Sequence, residues 1–385
     1  MGGCAYAKTT AAQRAAAKEA LVALPKDEAP AKASIGDMLD LDDIHLEFAP
    51  DLVDMVLDPG TGLDARISNM RSHVATDFGV LLPEIRLTDN ATLAPGHYLI
   101  KVQGVEQVRD RLVAGQILAL MNGASDVDLP GETVDEPVYG APAKWIDPKV
   151  LEAATLSGLT TVQPAEVLAT HLLEVVKRNF PRLLTFKALR RRLDEMVNLS
   201  DPDRAEANRR MLEELVPDKV PVDVLLSVLR LLLEERVSVR NLPLIIEAAA
   251  EGRQLFQTAD AIAEHVRQRL GFQLVAQMRR GDGTIPLVQL AAEWEDTFTT
   301  YEIRAERGGG DVALPPDVFN QLADGIAEKL GQAAESGTYS AVVTSTRRRR
   351  FLRTVMAAKG IMNPVLSFEE IGLDARPALV GLVPH

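Results

Sequence analysis

Downstream of about residue 44, the spacing of apolar residues switches between helical and strand patterns. In GHYLIKVQGV, Tyr98, Ile100 and Val102 alternate with Leu99, Lys101 and Gln103, which predicts a strand with one buried face. The preceding EIRLTDN predicts a short strand closed by an Asp-Asn turn. Before it, the apolar residues of DARISNMRSHVATDF fall on one helix face: Ile67, Met70 and Val74. Helices and strands mixed over so short a stretch predict a small α+β sandwich.

The middle of the chain is patterned as helices. In PAEVLATHLLEVVKRNF, Pro164 suits a first helical turn. The apolar residues of this segment share one face: Val167, Leu168, Leu172, Val175 and Val176. The stretch 220–252 predicts two more helices, the first capped by Asp223 and the second beginning near Ser238. This pair has helix-turn-helix proportions, but its second helix is too apolar for base recognition and is better suited to packing.

The last third of the chain returns to a mixed pattern. YSAVVTST predicts a strand, RRRRFLRTVMAAKG a helix with Thr346 as its N-cap, and PVLSFEEI the next strand. A strand, helix and strand within about 30 residues form a βαβ unit, so the two strands should be parallel. ALVGLV at 378–383 predicts a final strand.

Composition narrows the possible functions. The chain has 385 residues, 46% of them hydrophobic, and a net charge of −13, which is typical of an ordinary multidomain protein and disfavours nucleic acid or anionic lipid as the main partner. Its one cysteine, Cys4, excludes an internal disulfide framework. The longest apolar run, at 224–233, contains Ser227 and Arg230 and is too short to span a bilayer. The N-terminus lacks the apolar core of a signal peptide, and residues 1 to about 34 are patterned as a partly helical tether.

Motifs for catalysis or cofactor binding are missing. The glycine clusters at 57–62, 281–283 and 307–311 lack the spacing of phosphate-binding loops and are better explained as ordinary loops. His171 and Glu174 stand three apart on a predicted helix and have the spacing of a metal pair, although a surface hydrogen bond explains them better. Without a nucleophile, metal cluster or phosphate loop, we expect no enzyme activity, no metal and no cofactor.

The segment LPGETVDEPVYGAPAKWI, 129–146, combines prolines, glycines, acids and aromatics. Asp135 and Glu136 suggest a general acid/base pair, as in a hydrolase or transferase, but adjacent residues in an extended loop point in opposite directions. A Pro/Gly-fixed loop that exposes an aromatic among acids is typical of a protein-binding hot spot. We therefore expect Asp135, Glu136 and Tyr139 to be exposed contacts and Trp145 to be a packing anchor.

Arginines open the predicted helix after YSAVVTST, at Arg347 to Arg350 and Arg353. Cations at a helix N-terminus are unfavourable against the helix dipole. This placement suggests acidic partners on a neighbouring domain or subunit, but a solvated face is the simpler expectation.

Several motifs together carry a family resemblance: RISNMRSHVATDFGVLLPEIRLTDN, GHYLIKVQGVE, LPGETVDEPVYGAPAKWI, GLTTVQPAEVLATHLLEVVKR and LVPDKVPVDVLLSVLRLLLEERVSVRNLPLIIEAAAE. In this order and spacing they resemble the cytoplasmic domain of the FlhA/SctV family, the export-gate proteins of bacterial type III secretion. The resemblance covers roughly 45–385. The PxYGxPAxWI and ATHL motifs are more similar to the flagellar branch of the family than to the branch of virulence injectisomes. Membership of the injectisome branch stays the alternative.

The resemblance implies an α+β multidomain fold in four parts. The first is an RNA-recognition-like α/β domain at 45–114 with 164–183, interrupted by a small second domain at 115–163. An all-helical third domain at 184–271 and a C-terminal α/β domain at 272–385 follow, and 1–44 would be the linker from a membrane part that this chain lacks.

The resemblance also implies a function and a site. Such domains form a nine-membered ring at the cytoplasmic face of the bacterial inner membrane, attached through transmembrane helices. They bind export chaperones carrying late substrates in the cleft between the first two parts, and work with other export proteins, including the ATPase complex. The residues that match this docking site are Asp135 or Glu136, Tyr139 and Thr170.

Overall fold

The computed structural model of the chain describes residues 41–58, 62–121, 129–304, 310–372 and 375–385. Most of the predicted linker 1–44, including Cys4, lies outside the described residues, as do 59–61 and 307–309 of two glycine clusters. The chain divides into a unit Met1–Asp42 and a unit Asp43–His385, and all elements below belong to the second unit.

Strands and helices are mixed in the first and last parts of the described chain, and helices fill its middle, as the sequence pattern predicts. The strands of the described residues are β1 Ile44–Phe48, β2 Ile85–Asp89, β3 His97–Val102, β4 Val105–Arg111, β5 Ile117–Leu120, β6 Glu132–Asp135, β7 Pro142–Ile146, β8 Thr160–Val162, β9 Thr284–Leu290, β10 Glu302–Arg304, β11 Gly310–Val312, β12 Ala341–Thr344, β13 Val365–Ser367 and β14 Arg376–Val383. The helices are α1 Val53–Val56, α2 Leu63–Phe78, α3 Leu151–Leu156, α4 Pro164–Arg178, α5 Phe180–Leu183, α6 Phe186–Val197, α7 Pro202–Leu215, α8 Val222–Glu234, α9 Leu242–Leu255, α10 Ala259–Arg269, α11 Gly271–Met278, α12 Glu293–Thr300, α13 Pro316–Glu335, α14 Thr346–Ala358 and α15 Phe368–Ile371.

The N-terminal sheet has the strand order β2-β1-β3-β4, with β1 parallel to β2 and antiparallel to β3. The buried face predicted for β3 is confirmed, because Tyr98, Ile100 and Val102 are fully buried, but Leu99 on the opposite face is buried as well, against Ala49 and Leu93. The apolar face of α4 predicted from the sequence is buried in the same core. The helix starts at Pro164 and has a capping box between Gln163 and Glu166. That this region has an RNA-recognition-like topology stays a prediction.

A second, antiparallel sheet of order β6-β7-β5-β8 is formed within 117–162. Strand β7 is central, and its Trp145 is 2% exposed and belongs to the same core cluster as β1 and β3. The expectation that Trp145 is a packing anchor is therefore confirmed. The sheet also has its own small core around Ile117, Ile146 and Leu159.

Helices α6 to α11 follow without a strand. Two predicted helix starts within them are wrong. Asp223 lies inside the first turn of α8 after the N-cap residue Pro221, and α9 begins at Leu242 rather than near Ser238. Ser238 instead donates to the Asp77 carbonyl, and the Val239 N–H donates to Phe78 O at 2.9 Å, so contacts with the end of α2 hold this segment out of the helix.

The C-terminal sheet has the order β13-β12-β9-β14, and all its neighbouring strands are parallel. The predicted βαβ unit of β12, α14 and β13 and the final strand β14 are confirmed. Two details differ from prediction. The N-cap of α14 is Ser345, not Thr346, and PVLSFEEI forms only three strand residues before α15 begins. Ser367 and Glu370 form a capping box that turns the chain into this helix.

Not all of the arginines that open α14 lie on a solvated face. Arg348 and Arg349 are 0% exposed, which overturns the simpler expectation for these two positions. Arg348 Nε donates to Glu295 at 2.8 Å, within the C-terminal part of the chain. Arg349 donates to Glu235 at 2.6 and 2.9 Å and to Glu264, both in the helical segment. The alternative expectation, acidic partners on a neighbouring domain or subunit, is supported for Arg349, whose partners lie in the predicted third domain, but not for Arg348, whose partner Glu295 lies in the same predicted C-terminal domain.

The Arg349 cluster continues through a second buried guanidinium. Arg267 lies 3.3 Å from Glu235 and donates to Glu370 at 2.7 Å. Burial alone would raise the pKa of Glu235, but Arg267 and Arg349 hold it below its usual value. These ion pairs join α8, α10, α14 and α15, and thereby fix the helical segment to the C-terminal sheet.

Candidate functional site

The loop between β6 and β7 is held in shape by the residues within it. Asp135 pairs with Pro142 at the end of the ladder. The Glu136 N–H donates to Ala141 O at 2.7 Å, and the Gly140 N–H donates to Glu136 O at 2.8 Å. Gly140 adopts φ 70°, a left-handed conformation that disfavours residues with a Cβ. The loop is therefore a tight, fixed turn.

Glu136 supports this turn from inside. Its carboxylate accepts the N–H groups of Val138 at 2.9 Å and Tyr139 at 2.7 Å, and only 8% of the residue is exposed. The expectation that Glu136 is an exposed contact is therefore wrong, because its oxygens satisfy backbone donors of its own loop. Asp135 is exposed, as expected. Of the two candidate acids, Asp135 is the one that a partner can reach.

Tyr139 stands out from the turn with 70% of its surface exposed. Its hydroxyl donates to Glu174 Oε1 on α4 at 3.4 Å. Partial burial and the nearby Glu174 carboxylate raise the pKa of Tyr139 above its ordinary value. The residue is thus an accessible aromatic ring whose hydroxyl already has a partner within the protein.

Glu174 is a junction that sequence analysis missed. Although only 6% of it is exposed, it pairs with Lys177 at 2.8 Å and lies 3.7 Å from Arg236, which follows α8. Burial acts to raise the pKa of Glu174, but Lys177 and Arg236 together with Tyr139 lower it overall. No local pattern could have pointed to Arg236, because it lies 62 residues beyond Glu174 in the chain.

Thr170 is half-buried on α4, one helical turn before Glu174. It lines an open groove of ≈ 500 Å³ between α2 and α4. The other lining residues are Arg66, Asn69, Met70, His73, Val162, Glu166, Ala169 and Leu173. Tyr139 therefore contacts α4 at Glu174, one turn after Thr170 on the same helix. Asp135 lies at the base of the loop that carries Tyr139.

His171 does not pair with Glu174 as a metal site would require. Its Nδ1 lies 2.7 Å from the Tyr98 hydroxyl in the core, and burial lowers the pKa of His171. No group of three or more His, Cys, Asp or Glu side chains in the described ranges is arranged to hold a metal ion. Over the same residues, none of the helices has the length and apolar character needed to cross a membrane.

The chain resembles known proteins over most of its length. The sequence pattern of the FHIPEP family matches residues 1–376. A flagellar biosynthesis protein FlhA from Caulobacter vibrioides is 32% identical over 369 residues, which are 95% of this chain and 50% of that protein. FlhA from Bacillus subtilis is 27% identical over 358 residues, 93% of this chain and 52% of that protein. The chain thus spans about half the length of the curated relatives it matches.

Solved structures share the fold. The Chlamydia pneumoniae CdsV protein, solved in complex with CdsO, has a TM-score of 0.75 at 21% identity and covers 92% of this chain and 100% of its own. The EscV cytosolic domain from a type III secretion system, solved as a nonamer, has a TM-score of 0.68 at 16% identity, with coverages of 93% and 98%. At these identities the likeness establishes the mixed α/β fold of several sheets and helices.

Proposed function

The chain belongs to the FHIPEP family, and from this we propose that it is the docking platform of a flagellar type III protein export gate. In this role it binds export chaperones that carry late substrates, and it takes part in setting the order of export. Its relatives by sequence bear the name flagellar biosynthesis protein FlhA, which favours the flagellar system over a virulence injectisome.

One observation carries the docking proposal: an exposed aromatic on a turn that is fixed from within. Tyr139 keeps 70% of its surface accessible, while Glu136 holds the backbone beneath it. A rigid aromatic anchor loses little conformational entropy when a partner covers it. Asp135 beside it and Thr170 on α4 complete the proposed docking site. Four parts of the chain, with the boundaries predicted above, would move relative to one another to open or close it.

We further infer that copies of this domain assemble into a ring. The same fold is found in the nonameric EscV cytosolic domain, which supports a nine-membered assembly. The CdsV–CdsO complex shows this fold bound to a further protein, in line with contacts to other export components such as the ATPase complex. The ring would lie at the cytoplasmic face of the inner membrane, attached through a membrane part outside this chain. The mechanism is binding and domain rearrangement rather than catalysis.

The test is a double substitution, Asp135→Ala with Tyr139→Ala. Titration calorimetry with an export chaperone bound to its late substrate, from the bacterium that encodes this chain, should show loss of binding. The unfolding midpoint should stay unchanged, because both side chains are exposed. A matched control, Asp296→Ala with Tyr301→Ala, removes an exposed acid and a partly exposed tyrosine elsewhere and should bind as the unsubstituted protein does. Unchanged affinity of the first variant would refute the site.

A further inference from the structure

Glu174 connects three separate parts of the fold through one carboxylate. Its partners are Tyr139 in the β6–β7 loop, Lys177 on its own helix, and Arg236 after α8. Arg236 has φ 57°, one of the two left-handed non-glycine residues in the described part of the chain. This conformation costs a side-chain-bearing residue about 1 kcal/mol or more, so the surrounding contacts hold it in place.

We propose that Glu174 is a positioning residue for docking: it fixes the Tyr139 ring in its outward orientation by accepting the phenol hydroxyl. This inference rests on the proposed function. The main observation is that Tyr139 has its ring exposed and its hydroxyl bonded to a carboxylate that is itself buried. A side chain held by one end exposes its ring in a single arrangement, and a partner then binds without the cost of ordering it.

The remaining contacts of Glu174 explain why it can serve as a fixed point. Lys177 Nζ lies 2.8 Å from Glu174 Oε1 and neutralises the buried carboxylate. The Arg236 guanidinium lies 3.7 Å from the second oxygen, Oε2. These cations keep Glu174 ionised, and an ionised acceptor makes a stronger hydrogen bond than a neutral one. The hydroxyl matters in this chain because the aromatic is a tyrosine; a phenylalanine would have no donor to bind.

The experiment separates the hydroxyl from the ring. Tyr139→Phe and Glu174→Leu should each weaken chaperone–substrate binding about three- to tenfold, the effect of one lost hydrogen bond. Glu174→Gln keeps an acceptor and should retain most of the affinity. In the double variant Tyr139→Phe with Glu174→Leu, the second change should add little, because both remove the same bond. Glu47→Leu is the control, since it removes a buried carboxylate that pairs with Lys101 rather than with Tyr139 and should leave docking nearly unchanged.

A second readout reports on the contact itself. Glu174→Leu removes the carboxylate charge and should therefore lower the pKa of Tyr139. This pKa is measured by ultraviolet titration, with the spectrum of the Tyr139→Phe variant subtracted. Glu136 and Arg236, the other charged groups near the phenol, remain in place in this comparison. A fall in this pKa together with the expected affinities supports the positioning role.

The possible failures are distinct. If Tyr139→Ala binds as tightly as the unsubstituted protein, the proposed docking site is wrong. If Tyr139→Ala loses binding but Tyr139→Phe and Glu174→Leu do not, the site stands and the positioning role of Glu174 is refuted. Equal losses in Glu47→Leu and Glu174→Leu would likewise refute it, because general destabilisation by the loss of a buried carboxylate would then explain both.

Discussion

Replacing Arg349 by alanine should destabilise the protein far more than replacing its neighbour Arg350. Arg349 is completely buried and donates to two carboxylates, Glu235 and Glu264. Burial acts to lower the pKa of Arg349, but these two carboxylates raise it above the usual value, so the guanidinium stays charged. Arg350 also has an acidic partner, Asp260 at 2.7 Å, but their side chains are 54% and 40% exposed.

The magnitude follows from what the truncation leaves behind. Removing one member of a buried ion pair costs about 3–5 kcal/mol, because the remaining charge stays desolvated without compensation. Without Arg349, Glu235 keeps Arg267 at 3.3 Å, whereas Glu264 loses both hydrogen bonds from the guanidinium. An exposed pair such as Arg350 with Asp260 contributes about 0–1 kcal/mol.

Urea unfolding followed by circular dichroism gives the comparison. We expect Arg349→Ala to lower the free energy of unfolding by about 3–5 kcal/mol and Arg350→Ala by less than about 1 kcal/mol. The double variant Arg349→Met with Glu264→Met should be more stable than Arg349→Met alone, because the uncompensated carboxylate is removed as well. Equal effects of the two single alanine variants, or no recovery in the double variant, would show that burial does not set the strength of these pairs.

Two further predictions concern pH and backbone geometry. The folded-state pKa of Glu235 lies below its usual 4.5, so its ion pairs stabilise the protein fully above pH 4.5. This stability should be lost as the pH falls through the lower folded-state pKa. Unfolding midpoints measured between neutral and acid pH should therefore fall less in Glu235→Gln than in the unsubstituted protein. Gly79 has φ 73° and a Cβ there would lie 2.4 Å from the Arg240 backbone, whereas Gly140 has φ 70° with open space around it. Gly79→Ala should therefore cost about 2–5 kcal/mol and Gly140→Ala only about 1–2 kcal/mol in urea unfolding, and similar costs would contradict the close contact.

Local patterns predicted the fold well where one residue spacing decides the structure. The apolar face of α4 follows from a repeat within 15 residues, and the buried face of β3 from simple alternation. Trp145 could be assigned to the core because a large apolar ring is usually buried, although the sequence pattern of its segment indicates a loop and does not predict the strand β7.

Two of the failures have the same physical cause, namely contacts between residues far apart in sequence. Ser238 looks like a helix start, but its hydroxyl binds Asp77 O, 161 residues earlier. Arg349 looks like a surface cation, and its partner Glu235 lies 114 residues away. The failure at Glu136 has a local cause, because its carboxylate oxygens accept N–H groups of its own loop. A carboxylate that supports a turn and a carboxylate that contacts a partner have the same sequence signature.

Successive arginines at the start of α14 point to different neighbours, each about 100° around the axis from the last. Arg347 contacts Glu302, Arg348 contacts Glu295, Arg349 contacts Glu235 and Glu264, and Arg350 contacts Asp260. Inserting or deleting one residue just before Ser345 would turn the whole series by one step and set each cation opposite the wrong neighbour. In evolution this turn should thus tolerate changes of residue type at Arg347 and Arg350 far more readily than any change of length.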